Sequence, residues 1–282
     1  MTRLMLPFGL AFIMFSLGLG LRFEDFRLVL KRPGVIGLGL LAQVVLLPLT
    51  ALAIVTTLGL GAELAVGLMI LAACPGGVTA GMVTRLAGGD TALSISLTAL
   101  TSLLSFVSVP LIVGASLGHF LGGSTQVQLP VAQVVGGLLL ITLLPVVIGL
   151  TLRERDLATA SMRRRVHLLA TGTFVLIVLH TFVDQWDAVT GHFAAIGAAC
   201  LLLNLLTMTT GGLLGAAVRL PVRGRIALAM ECGMQNSALG ITLAISVLAL
   251  PELAIPSVIY ALLMNVTAFV FIVLRTRLGN VT

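Results

Sequence analysis

Polar positions are sparse along this chain, and the charges among them gather in short clusters that cut it into long apolar stretches. A bilayer core is crossed by a helix of about 20 apolar residues. Cutting the chain at its charges and turn-rich segments predicts nine such helices, at 4–21, 34–58, 64–84, 91–117, 130–152, 166–183, 192–215, 226–249 and 254–274. Between Thr91 and Leu152 there is no Asp, Glu, Lys or Arg, so that stretch is read as two spans joined at the turn-rich Gly122-Gly123-Ser124-Thr125. The chain opens into an apolar run without a small-residue cleavage site, which reads as a retained first span. The fold class expected is an all-α integral membrane protein.

Composition sharpens this. Apolar residues make up 59% of the chain and charged residues 9%, against about 25% charged in ordinary soluble domains, which excludes a soluble enzyme and disorder alike. The 31 Gly and 10 Pro lie largely in apolar runs, as membrane helices allow. Cys74, Cys200 and Cys232 have neither pairing nor ligand spacing and read as small buried hydrophobes. The formal charge of +6 is explained by placement. Fifteen of the 16 basic residues fall on alternate connections of the nine-span scheme, leaving Arg3 on the other side. By the positive-inside rule the N-terminus is outside and the C-terminus cytoplasmic, and the basic excess marks topology, not a nucleic-acid surface. Segment 22–33, RFEDFRLVLKRP, reads equally as an amphipathic stretch on the inner face or as a solvated loop.

Two spans break the apolar pattern. The third contains Ala73-Cys74-Pro75-Gly76-Gly77, where Pro removes a backbone donor and Gly the steric preference for helix. The eighth contains Glu231-Cys232-Gly233-Met234-Gln235-Asn236-Ser237, and Glu231 is the only acid well inside any proposed span. A carboxylate at bilayer depth is costly and faces a cavity or a partner. With Gln235, Asn236, Ser237 and unwound carbonyls, it supplies oxygens suited to a hard cation such as Na⁺. The two breaks lie five spans apart in oppositely directed helices, as inverted-topology repeats place them. The expected repeats are 1–117, with four helices, and 118–282, with five. Crossed broken helices near the midplane are the core of a secondary transporter.

ACPGG at 73–77, GGDTALSISLTALTSLLS at 88–105 and ECGMQNSALG at 231–240 resemble the two signature regions of the bile acid:sodium symporter family, and the similarity runs from MFSLGLGLRFEDF at 14–26 to the last helix. Many members have a further N-terminal helix, which accounts for a count of nine where paired repeats predict ten. The resemblance implies a core domain holding the crossed helices and a panel domain beside it. It also implies sodium-coupled uptake of an organic anion, bile-acid-like or a small carboxylate such as pantoate, by alternating access in a bacterial inner membrane. No cofactor is implied besides Na⁺ as coupling ion.

The resemblance also carries sites. One sodium is expected at Glu231, Gln235 and Gln43, with the backbone carbonyls of Cys232 and Met234. A second is expected at Ser94 and Thr98, but the family's serine and asparagine ligands after PGG are here Ala80 and Gly81. A single sodium, a proton carried on Glu231, or water completing the shell all fit that loss. Asn236 and Asn265 match substrate-contacting asparagines, and Val78 and Thr79 lie at a helix N-terminus able to receive a carboxylate. His119, His167, His180 and His192 fall near span ends and receive no role. Two alternatives stand beside sodium symport: a proton-coupled or uncoupled carrier of the same fold, and an arsenite or other oxyanion exporter, for which Cys74 in a broken helix would be the thiol. An enzyme would need a nucleophile with a paired base or a dense ligand set, and the spans hold neither.

Overall fold

A computed structural model of the chain describes residues 2–25, 31–122 and 131–279, all of its regular structure helical. In chain order the helices are α1 (Thr2–Gly20), α2 (Pro33–Thr57), α3 (Ala62–Ala73), α4 (Ala80–Leu86) and α5 (Thr91–Phe120). Next comes α6, which runs Val131–Leu138, through a π turn at Leu139–Leu143, into Leu144–Glu154. Then follow α7 (Ala160–Asp184), α8 (Trp186–Ala217), α9 (Val222–Gly233), α10 (Ser237–Thr242, continued by a π turn at Leu243–Val247) and α11 (Ile255–Gly279).

Six helices, α2, α5, α6, α7, α8 and α11, are long and apolar enough to cross a membrane; Met5–Gly20, Ala62–Ala73 and Ser237–Val247 are shorter apolar helices. The third and eighth proposed spans are shorter because each is interrupted. Helix α3 stops at Cys74, whose backbone is extended (φ −67°, ψ 147°), and α9 stops at Met234 (φ −102°, ψ 97°). Helix ends also reach past the proposed spans. Helix α7 begins at Ala160, where Thr159 caps it by accepting from Met162 N at 3.3 Å, and it carries Arg163, Arg164 and Arg165 before its apolar run. Charges end a bilayer span, but they do not end a helix. The proposed turn at 122–125 falls largely on residues 123–130, and the middle of segment 22–33 on residues 26–30, outside the described residues; at its two ends Arg22, Phe23, Glu24, Lys31 and Arg32 are exposed.

Packing sorts the helices into two groups. Helix α1 lies against α6 and α7, while α2, α3, α5, α8, α9 and α11 pack on one another. The α1–α6 contact is backbone to backbone: a Cβ on Gly149 would sit 2.7 Å from Leu19 N and 2.9 Å from Gly18 C. Small residues at such a crossing let helices approach closely in lipid.

Candidate functional site

The two interruptions meet. Gly76 and Gln235 form an isolated antiparallel bridge. Gly77 N donates to Met234 O at 2.7 Å, and Asn236 N donates to Pro75 O at 2.9 Å. Each break thus supplies the hydrogen bonds that the other lost by leaving the helix, which is how unwound backbone is tolerated at bilayer depth. Beyond the pairing, Asn236 caps α10, its side-chain oxygen accepting from Leu239 N at 3.1 Å.

Glu231 lies one turn before the second break and is fully buried. Ser94 Oγ donates to its Oε1, and Thr98 Oγ1 lies 2.9 Å from Oε1 and 3.0 Å from Oε2. Ser94 and Thr98 sit on one face of α5 at i and i+4. Thr84 Oγ1 of α4 donates in turn to Ser94 Oγ at 3.3 Å. Gly76 is glycine for a steric reason: a Cβ there would lie 2.6 Å from Glu231 Oε2 and 3.6 Å from Gln43 Oε1.

Around this carboxylate two buried amide oxygens have no hydrogen-bond partner. Gln43 sits in a π turn of α2, Ala42–Leu46, a backbone form frequent at functional sites; its amide lies beside the Glu231 carboxylate, and its Oε1 has no hydrogen-bond partner. Gln235 donates through Nε2 to Cys232 O at 3.0 Å, while its Oε1 is unpartnered. Buried polar atoms are ordinarily satisfied, and a hard cation takes oxygen ligands of this kind. The Cys232 and Met234 carbonyls each accept one hydrogen bond and keep a second lone pair. Glu231, Gln235, Gln43, Cys232 and Met234 are thus gathered at one place. At the second proposed site, Ser94 and Thr98 spend their hydroxyls on Glu231. A Cβ on Gly81 would lie 3.2 Å from Ile95 Cγ1 and 3.9 Å from Ser94 Oγ, so a side chain there would press first on Ile95 of α5, with Ser94 beside it.

Two cavities flank the crossing, both between the α1–α6–α7 group and the remaining helices. The larger, about 280 Å³, touches Pro75 and Leu239 and is walled by apolar side chains such as Met14, Phe106 and Val146, relieved only by the hydroxyls of Ser102, Ser105 and Thr142. The smaller is a crevice of about 20 Å³ lined by Val78, Thr79, Gln235, Asn236, Ser237 and, from α7, His167. Asn265 lines neither; its Nδ2 donates to Ala261 O of its own helix at 2.6 Å, and its neighbour Met264 faces the crevice.

Several of these residues were missed from sequence. His167 lies near the proposed start of its span, yet α7 begins earlier and carries it to the crossing. Asn204 Nδ2 and Tyr260 OH both donate to Gly233 O, at 2.8 and 2.9 Å, bracing the carbonyl left free where α9 ends. The signals available were an Asn inside the apolar run LLLNLL and the chain's one Tyr. Cys74 Sγ is buried and directed at Ile70 O at 3.2 Å. Among the described residues no three His, Cys, Asp or Glu side chains cluster as metal ligands.

An all-helical membrane protein whose two broken helices cross over a buried carboxylate belongs to the architectural class of transporters built on discontinuous helices. The sequence pattern of the Sodium Bile acid symporter family matches residues 7–192, and the chain belongs to that family, one of transporters and not of enzymes. It is 30% identical over 262 residues to "Uncharacterized sodium-dependent transporter YocS" of Bacillus subtilis (strain 168), covering 92% of this chain and 78% of that one. It is 30% identical over 255 residues to "Probable sodium/metabolite cotransporter BASS2, chloroplastic" of Oryza sativa subsp. japonica, covering 89% of this chain and 59% of that one. A mouse "Sodium-dependent organic anion transporter" is 28% identical over 231 residues, 82% of this chain and 61% of that one. The chain therefore spans about three fifths of the rice and mouse relatives.

Proposed function

We propose that this protein is a secondary transporter that carries an organic anion inward together with Na⁺ by alternating access. The observation that carries the reading is the set of unpartnered buried oxygens on Gln43 and Gln235 beside Glu231, where the two helix breaks pair. Gln43, Glu231 and Gln235 hold the ion by side chain, and Cys232 and Met234 hold it by backbone carbonyl. One sodium suffices: with Ala80 and Gly81 lacking side-chain oxygens, the Ser94 and Thr98 hydroxyls stabilise Glu231 directly.

In this reading nine helices span the membrane, with the N-terminus outside and the C-terminus cytoplasmic. Residues 1–117 and 118–282 are inverted repeats; α1, α6 and α7 are the panel, and the other helices are the core. The packing groups support that division. The solute binds where panel meets core, its carboxylate toward Val78, Thr79, Asn236 and His167 and its apolar part along the larger cavity wall. Asn265 turns from its own helix toward the solute as the crevice opens. The relatives' names, sodium-dependent organic anion transporter and sodium/metabolite cotransporter, support sodium and an organic substrate.

A thermal-shift screen of purified protein against organic anions, with Na⁺ or with K⁺, tests coupling and solute together, since a ligand that binds the folded state stabilises it. Stabilisation by a carboxylate only when Na⁺ is present is expected. Equal stabilisation in K⁺ would favour the uncoupled or proton-coupled carrier. Cys74→Ser retaining anion binding separates the reading from the oxyanion exporter.

A further inference from the structure

A third cavity, of about 390 Å³, shares no residue with the two at the crossing. It is a groove between the second half of α8, the start of α9 and the end of α11. Its walls include Leu205, Met208, Leu213 and Phe271, and its charged lining residues are Arg225 and Arg275. Leu205, Leu213 and Val222 beside it are about half exposed or more, so the groove opens sideways, toward the surroundings of the helices.

Among the described residues no acid lines the groove beside the two arginines. From residue 186 to 279 the acids are Asp187 at the start of α8, Glu231 at the crossing and Glu252 in the turn before α11, and none lines the groove. Arg225 is also held in place. Its Nε donates to Leu220 O at 2.8 Å, which leaves the terminal nitrogens for a ligand. Its stem lies against α8 at Gly215, where a Cβ would come within 3.2 Å of Arg225 Cα and 3.3 Å of its Cγ. Arg219 and Arg223 add basic charge at the same helix ends. A guanidinium fork suits phosphate, and basic pockets between membrane helices receive lipid headgroups.

We propose that this groove binds an anionic phospholipid of the inner leaflet, its phosphate between Arg225 and Arg275 and one acyl chain along Leu205, Met208, Leu213 and Phe271. The charge selects an anion, and the long, open apolar wall selects an anion with a hydrocarbon tail. The site bears on transport because Met208 also fills the space that Gly233 leaves by having no side chain, so the lipid chain rests on a residue packed against the break in α9.

The test is native mass spectrometry and thermal unfolding of the delipidated full chain with dioleoyl phosphatidylglycerol, dioleoyl phosphatidylcholine or inorganic phosphate. Retention of phosphatidylglycerol, and stabilisation by it but not by the other two, is expected. Replacing both arginines by glutamine lowers its affinity about fivefold for each. Gly212→Leu fills the groove with both arginines intact, and space exists for it, since a Cβ at Gly212 meets only Ala229 Cβ at 3.8 Å; it too loses the lipid. Equal binding of the two lipids, stabilisation by inorganic phosphate alone, or wild-type phosphatidylglycerol affinity in either variant overturns the site.

Discussion

Among the described residues Glu231 is bonded by the hydroxyls of Ser94 and Thr98 and by no basic side chain, and in the proposed reading its charge is matched by an ion from outside the chain. Gln43 and Gln235 offer oxygens that nothing in the protein uses. Gln43→Ala should therefore raise the sodium half-saturation of any sodium-dependent readout by tenfold or more while the sodium-free protein unfolds at an unchanged temperature. Gly76→Ala pushes a methyl group against Glu231 Oε2, an overpacking worth about 1–3 kcal/mol, and should abolish sodium-dependent stabilisation. His167→Ala should weaken binding of the anionic solute severalfold, read by titration calorimetry, with sodium affinity kept. Glu231 and Gln43 were legible in the sequence, one as the only deep acid and the other through family resemblance. Thr84 and His167 were not: Thr84 matters because α4 packs on α5, and His167 because α7 packs beside the crossing and turns it to the crevice.

At the scale of elements, the breaks in α3 and α9 explain one another. Pro75 and the following glycines predicted one interruption and the polar run after Glu231 the other, but their antiparallel pairing could not be read from either segment alone. The brace on Gly233 was equally hidden, since Asn204 and Tyr260 reach it from two other helices. Tyr260→Phe leaves Asn204 on that carbonyl and should cost about 1 kcal/mol. Tyr260→Phe with Asn204→Leu strands it and should cost more than the two single changes added, as a double-mutant cycle on thermal unfolding would read. The Ala80-Gly81 departure belongs here too. Ala80→Ser with Gly81→Asn restores side-chain oxygens at the start of α4, the one at 81 beside Ile95 and Ser94, and should raise bound sodium from about one per chain toward two; an unchanged count would remove those positions from the ion stoichiometry.

For the whole molecule, charge placement carries the topology. The clusters at 153–165 and 219–225 and the basic residues near 275 share one side in the nine-span scheme, and the connection at 58–62 lies on the other. Arg155→Cys should react with a membrane-impermeant maleimide only in inside-out vesicles, and Gly61→Cys only in right-side-out cells; the native cysteines are buried and give little background. The reverse pattern would invert the orientation. The class of fold was legible because so few residues are charged and because those few are so unevenly spread. The division into an α1–α6–α7 group and the rest was not, because lipid-facing and protein-facing helices are alike in their apolar composition.

The central claim is that Glu231, Gln43 and Gln235 form a sodium site where the two breaks cross. Its most direct test is equilibrium binding of radioactive sodium to the purified protein. Wild type should bind about one ion per chain saturably, and Glu231→Gln should bind none. Absence of saturable binding in the wild type, or undiminished binding in Glu231→Gln, would contradict the account.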